Sequence, residues 1–455
     1  MESDRHTELV EWILFEQGFL MQVSVEATSG LGRRMTVALP AERLESEVSA
    51  RLQRLLRTSR FPGFRPGKAP MKIVEAHYGG KVIEEVAGDL IQASFHEAVV
   101  GQGLKPAGGP TVESRSIERG RDLRYTVVFE VYPEVRKLDI SGSRIERPAS
   151  SVVDEDVSHT LESLRKQRAT WTTVERPARI GDRLVIDFTG QKDGKPFEGG
   201  HASGFRLTLG NQTLVDGFEE GLAGAVPGES RSVTVRFPAD YRDAALAGQE
   251  VVFDVQVKSV EEPVVPEIDA QFAHDFGIED GSVDRLRAEV RANLERELRE
   301  HVRVQVRDQV FSLLLQQNDL PVPAALQEAE VDRLMEQAAD SLEAQNIPRS
   351  RAPRDRSRYA DEARRRVALG LILAEIVRTR GLVADPGRVR ARVEQLAASY
   401  EVPQQFIDWH YAEPGRLAQV ESLVLEEQVV DVLLEAADVV DSPRSFAELV
   451  GRPDA

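Results

Sequence analysis

The chain has no cysteine among its 455 residues. Disulfide bonds, thiolate nucleophiles and cysteine-ligated metals are therefore excluded. The eight histidines are scattered without a His-x-x-x-His pair, and no glycine-rich phosphate loop follows a predicted strand. We therefore expect no metal site, no hydrolytic triad, no cofactor and no ATP-driven mechanism. The acidic pairs Glu84-Glu85 and Glu219-Glu220 are interpreted as solvated faces.

Long apolar runs are also missing. No stretch reaches the roughly 18 consecutive apolar residues that a membrane-spanning helix needs. Residues 1–20 contain an apolar segment, but it is short, flanked by acidic residues and not followed by a small-residue cleavage site, so it is not typical of a signal peptide. We expect a cytoplasmic protein without membrane contact, and we interpret residues 1–20 as a disordered extension.

The length of the chain predicts about three domains at roughly 150 residues each. In residues 21–133, two short alternating strands precede a helix that opens at Pro40, and a second helix extends from about residue 71 to residue 101. This order of elements predicts an α+β domain. Residues 134–170 follow as a linker that contains one amphipathic helix.

From Gly181 the apolar period changes to two, which indicates β-strands. Asp193-Gly194 is typical of a hairpin turn, and Phe253 belongs to a second alternating run. The pattern predicts a compact antiparallel β domain over residues 171–262.

After Pro263 the pattern is almost wholly helical. Apolar residues recur every four positions from Leu286 to Val310, which predicts one long helix. We interpret residues 263–442 as an all-α domain whose extended arms expose apolar patches, followed by a C-terminal tail at residues 443–455. Its further helices are predicted at residues 326–345, 359–380, 388–400 and 417–437.

An aromatic and two cations lie together in the segment Gly63-Phe64-Arg65-Pro66-Gly67-Lys68-Ala69-Pro70. Two glycines and two prolines exclude regular secondary structure, so these side chains are presented on a defined loop. Residues 21–72 carry ten basic and four acidic residues, whereas the whole chain has a net charge of −18. This asymmetry indicates contact with nucleic acid or another anionic surface. The alternative is a solvated basic helix followed by an ordinary loop.

Six of the chain's 17 phenylalanines fall within residues 188–253, a pattern that by itself indicates a barrel core. The motifs Ile186-Asp187-Phe188-Thr189-Gly190 and Val215-Asp216-Gly217-Phe218-Glu219-Glu220-Gly221, with Phe197-Glu198-Gly199-Gly200 between them, resemble the FKBP-type peptidyl-prolyl isomerase family. The resemblance implies a small sheet wrapped around a short helix. It also implies a proline pocket formed by Phe188, Phe197, Phe205, Leu214, Val215, Phe218, Tyr241 and Phe253.

This sequence departs from the FKBP pattern at three positions. Phe188 stands where the family usually has tyrosine, Phe218 where it usually has tryptophan, and Glu198 where aspartate is usual. We therefore expect isomerase activity without tight binding of the macrolide inhibitors of that family.

The whole chain is a multidomain α+β protein in which an FKBP-like domain lies between a basic α+β domain and an acidic helical region. In this it resembles the bacterial trigger factor family from Met21 to about Val450, including Leu320-Pro321-Val322-Pro323 and Ser445-Phe446-Ala447-Glu448-Leu449. The resemblance implies an ATP-independent chaperone that shields nascent and unfolded polypeptides and assists protein folding and export.

In that family the loop docks on the large ribosomal subunit beside the exit tunnel, on protein and rRNA. Carried over by position, the docking residues are Gly63, Phe64, Arg65, Pro66, Gly67, Lys68 and Pro70. Pro66 stands where many members have lysine, so one cation is missing. A free prolyl isomerase and a ribosome-independent holdase or assembly factor are the alternatives, and homodimerisation of the free protein stays open.

Overall fold

The computed structural model describes residues 10–15, 19–59, 64, 68–192, 194–211, 213–241, 243, 246–398, 400 and 402–451. The chain divides into two compact units. The first comprises the residues up to Glu146 together with Gln305–Val440, and the second comprises Arg147–Val304 together with the residues from Asp441 onward.

The N-terminal part of the first unit is an antiparallel sheet with two helices. Strands β2 and β3 lead into α1, which starts after Pro40 because proline supplies a helical φ at a position that needs no amide donor. Alternate residues of the central strands, such as Met35 and Tyr125, are buried against α1 and α2. The sheet order is β1-β2-β3-β5-β4. The elements are β1 (Val10–Phe15), β2 (Phe19–Ala27), β3 (Gly32–Leu39), α1 (Ala41–Thr58), α2 (Met71–Gly101), β4 (Thr111–Ser116) and β5 (Leu123–Glu130).

Strand β1 corrects the expectation of disorder for residues 10–15 of the extension; residues 1–9 and 16–18 lie outside the described residues. Val10–Phe15 pairs in continuous antiparallel register with β2, from Val10 opposite Ser24 to Phe15 opposite Phe19. The reason is that β2 would otherwise present an edge of unpaired amide and carbonyl groups, and a preceding segment of β-forming residues can pair with it.

The second unit contains the predicted antiparallel β domain. The sheet order is β10-β11-β8-β9, with β7 paired to the far end of β11. Along β11, Val251, Phe253, Val255 and Val257 are buried while the residues between them are exposed. The elements between residues 144 and 264 are β6 (Arg144–Ala149), α3 (Asp154–Gln167), β7 (Thr170–Val174), β8 (Arg183–Lys192), β9 (Lys195–Thr208), α4 (Phe218–Leu222), β10 (Ser230–Arg236) and β11 (Glu250–Val264).

The remaining chain is almost entirely helical, and the single long helix predicted from Leu286 to Val310 is confirmed as part of α6. Helix α10 was not predicted, because its apolar residues are mostly aromatic and do not repeat the aliphatic four-residue pattern. None of the helices among the described residues has the length and apolarity to cross a membrane. The elements are α5 (Ala270–Asp275), α6 (Val283–Gln317), α7 (Ala324–Ala344), α8 (Ser357–Arg380), α9 (Pro386–Ala397), α10 (Pro403–Tyr411), α11 (Pro414–Leu434), β12 (Asp438–Pro443) and α12 (Phe446–Val450).

A separate core in the second unit joins segments that are far apart in sequence. Leu161 of α3, Phe272 of α5 and Leu294 of α6 are buried in one cluster with Phe446 and Leu449 of α12. The stretches predicted as a linker and as a tail thus contribute to the same core.

Candidate functional site

The β domain holds a cluster of aromatic rings in edge-to-face contact. The ring centroid of Phe188 lies 5.9 Å from that of Phe218 and 5.8 Å from that of Phe253. Phe218 and Phe253 are themselves 5.2 Å apart, and Phe197 lies 6.1 Å from Phe253. Such contacts add to the hydrophobic stabilisation of the cluster and fix the ring orientations.

These rings form the wall of a cavity of about 240 Å³. Seven of the eight residues predicted for the pocket line it. Phe205 is not among the lining residues; it lies opposite Ile186, next to a β-bulge in the β8–β9 pairing. Its ring packs edge-on against Phe188, 5.7 Å away. The lining residues are Phe188, Phe197, Gly199, Leu214, Val215, Phe218, Phe237, Tyr241, Asp243, Leu246 and Phe253.

Four lining residues were not predicted from the sequence: Gly199, Phe237, Asp243 and Leu246. Phe237 had a usable signal, since it is one of the six phenylalanines clustered within residues 188–253. Its ring lies 4.6 Å from that of Tyr241. Gly199 lies in β9 but has no side chain to contribute to an apolar pattern. Asp243 and Leu246 lie in a bend and a turn, where apolar periodicity does not indicate which residues face a cavity.

Gly190 allows the rings to reach these positions. It lies opposite Phe253 in the β8–β11 pairing, and a Cβ built on it would be 2.6 Å from the Phe197 ring and 2.7 Å from the Phe253 ring. Any larger residue there would displace both aromatic walls, since carbon atoms pack at roughly 3.5–4.0 Å.

Glu219 corrects the prediction that Glu219-Glu220 is a solvated face. Glu219 is only 7% exposed, and its carboxylate accepts hydrogen bonds from the amides of Gly210 and Thr213 at 2.8 and 2.9 Å. Backbone donors in the preceding loop compensate the cost of burying the charge. Glu220 is exposed as predicted, as are Glu84 and Glu85.

Asp187, next to Phe188 in β8, ties three strands together. Its carboxylate lies 2.7 Å from the ammonium group of Lys258 in β11 and accepts hydrogen bonds from the Ser203 hydroxyl and the Gly204 amide in β9. These contacts lower the pKa of Asp187 to about 2, and the hydrogen bond from Lys258 has the largest effect.

Of the predicted docking residues, the structure describes Phe64, Lys68 and Pro70. The Phe64 side chain is exposed, at 39%, although a phenylalanine is usually buried. Pro70 directly precedes α2, and Ala69 is buried in the N-terminal core. The other predicted docking residues, Gly63, Arg65, Pro66 and Gly67, lie outside the described residues.

An antiparallel sheet with a short helix and an aromatic cavity is the architecture of an FKBP-type isomerase domain. The family model of FKBP-type peptidyl-prolyl cis-trans isomerase matches residues 174–258. Models of the bacterial trigger factor protein and of its C-terminus match residues 21–164 and 282–435.

Curated relatives named trigger factor from Azotobacter vinelandii and Pseudomonas paraeruginosa are each 46% identical to this chain over 435 residues. The alignments cover 96% of this chain and 99% of each relative. A solved structure of the trigger factor chaperone aligns with 90% of this chain and 99% of its own, at 17% identity and a TM-score of 0.45.

The chain belongs to the trigger factor family. It is a chaperone with a ribosome-binding N-terminal domain, an FKBP-type peptidyl-prolyl isomerase domain and a helical C-terminal part. The predicted family, fold class and isomerase activity are confirmed.

Proposed function

We propose that this chain docks on the large ribosomal subunit near the exit tunnel through residues 63–70, holds emerging polypeptide on its helical region in the cytoplasm, and isomerises X–Pro bonds in the cavity around Phe218. The observation that carries the proposal is the cavity itself. It has the aromatic walls that a proline ring needs, and the fold that surrounds it is that of an isomerase domain.

The reaction needs neither a nucleophile nor a general base. Rotation about an X–Pro bond crosses a barrier of roughly 18–20 kcal/mol because amide resonance is lost when the bond twists. The twisted amide has a less polarised carbonyl than the planar one, so it loses less hydration free energy when it leaves water. An apolar cavity walled by Phe188, Phe218 and Phe253 therefore binds the twisted state better than the planar ground state.

Replacement of Tyr241 by alanine tests the pocket assignment. Tyr241 lines the cavity but is 40% exposed, so its removal should leave the fold intact. We expect catalysis of a proline-limited refolding reaction to fall on the order of tenfold, the effect of about 1.4 kcal/mol of transition-state binding. Tyr132→Ala is the matched control, a tyrosine outside the cavity that is 42% exposed. Equal catalysis by the two variants would refute the pocket assignment.

Replacement of Phe64-Arg65-Pro66 by three alanines tests the docking assignment. We expect the variant to lose co-sedimentation with ribosomes, with the Tyr132→Ala protein pelleting like the wild type. If rRNA phosphates contribute, wild-type binding should also weaken steeply as the salt concentration rises. Unchanged pelleting of the triple variant would contradict the docking role.

Two outcomes favour the alternatives. A wild-type protein that catalyses refolding but never pellets with ribosomes would be a free isomerase. Equal affinity for folded complexes and nascent chains would indicate a ribosome-independent holdase or assembly factor. Sedimentation of the ribosome-free protein over a concentration range distinguishes monomer from homodimer.

A further inference from the structure

Glu219 connects two walls of the cavity through one buried side chain. Its Oε2 atom accepts a hydrogen bond from the Gly210 amide at 2.8 Å. Its Oε1 atom accepts from the Thr213 amide at 2.9 Å and from the Thr213 hydroxyl at 3.3 Å. The carboxylate therefore fixes the backbone on both sides of the loop that joins β9 to α4.

The residues on either side of these contacts line the cavity. Leu214 and Val215 follow Thr213 directly, and Phe218 immediately precedes Glu219 in α4. The turn between them is tight, because the Phe218 amide donates to the Val215 carbonyl at 3.1 Å. Movement of Glu219 would change the distance between the Leu214–Val215 wall and the Phe218 wall.

We infer that Glu219 is a positioning residue for prolyl isomerisation, whose carboxylate holds the Leu214–Val215 wall at its working distance from Phe218. The inference rests on the proposed pocket. Glu219 does not line the cavity, so it acts through its neighbours and not on the substrate.

The chemistry of the site separates Glu219 from its neighbour Glu220. Both oxygens of Glu219 accept bonds from loop donors, and glutamine has only one acceptor oxygen, so its amide group would face a backbone N–H without a bond. Glu220 is exposed, and its Oε2 accepts from the Gly217 amide at 2.9 Å, a bond that a glutamine oxygen can keep. The same conservative substitution should therefore have different effects at adjacent positions.

The test compares Glu219→Gln and Glu220→Gln in the full chain. We measure kcat/KM for isomerisation of a short X–Pro peptide, thermal unfolding, and the methyl NMR signals of leucine and valine. We expect Glu219→Gln to lower kcat/KM on the order of tenfold while folded at the assay temperature, and to shift or broaden the Leu214 and Val215 signals but not that of Leu184. Glu220→Gln should stay within about twofold of the wild type.

Three results would overturn the positioning role: unchanged kcat/KM in Glu219→Gln, equal losses in both variants, or a loss that matches the unfolded fraction. Tyr241→Ala separates this failure from failure of the pocket. If Tyr241→Ala lowers activity and Glu219→Gln does not, only the positioning role is wrong. If Tyr241→Ala has no effect, the pocket assignment is wrong as well.

Discussion

Replacement of Gly190 by alanine should damage isomerisation while leaving the chaperone folded. The added methyl carbon would lie 2.6 Å from the Phe197 ring and 2.7 Å from the Phe253 ring. Because carbon atoms pack at roughly 3.5–4.0 Å, both rings must move by about 1 Å or the strand must shift. Phe253 also contacts Phe188 and Phe218, so the displacement passes to the rest of the cavity wall.

Two magnitudes follow from this geometry. Overpacking of this kind costs about 1–3 kcal/mol of stability, which a domain stable by about 5–15 kcal/mol tolerates. Misplacement of a binding wall by about 1 Å can reduce a rate by roughly a hundredfold. We therefore expect a tenfold to hundredfold loss of kcat/KM, at about 1.4 kcal/mol for each factor of ten.

The assay measures catalysed refolding of a proline-limited substrate and, in parallel, suppression of aggregation by the same preparation. Gly370→Ala is the matched control, since Gly370 lies in α8 and, apart from its own helix backbone, no atom of the described residues lies within 4 Å of the added carbon. There the substitution should raise the stability of the helix by about 1 kcal/mol and leave isomerisation unchanged. A folded Gly190→Ala protein with wild-type kcat/KM would refute the reasoning.

Two further predictions concern stability. The pKa of Asp187 in the folded protein, about 2, lies below the ordinary value of 3.8. The ionised carboxylate therefore contributes to the free energy of unfolding above pH 4, and this contribution is lost as the pH falls towards 2. Urea unfolding should therefore show the wild type more stable than Asp187→Asn at pH 6 and the two converging at pH 2, and a pH-independent difference would contradict the linkage. Phe446→Ala should cost about 3–5 kcal/mol in chemical denaturation because Phe446 is 3% exposed in a core, whereas a loss below about 1 kcal/mol would show that α12 packs loosely.

Local apolar periodicity sufficed to predict helices and strands that bury one face against a single neighbouring layer of the fold. The four-residue spacing from Leu286 to Val310 predicted α6, and the alternation around Phe253 predicted β11. Strand β1 could not be predicted in this way. Its formation depends on the open edge of β2, which is a property of the sheet and not of residues 10–15 alone.

At the candidate site, residue type predicted the aromatic walls but not the limits of the cavity. Phe205 has the same alternation as Leu207 and Leu209, and that alternation does not show that its ring packs edge-on against Phe188 without lining the cavity. Glu219 looked like any charged residue beside another, because its burial depends on the loop amides of Gly210 and Thr213 folding over it. Both facts arise from tertiary contacts that composition and local periodicity do not specify.

The core shared by α3, α6 and α12 has a consequence for how this chaperone is itself made. Leu161 and Leu294 would be synthesised long before Phe446 and Leu449, yet all four are buried in one cluster. Contacts of such large sequence separation form late, because the loop between them must close first. Helix α12 must therefore leave the ribosome before this core can close. A ribosome stalled a few codons before Phe446 would hold a chaperone in which the core residues that pack against α12, such as Leu161 and Leu294, still lack those contacts.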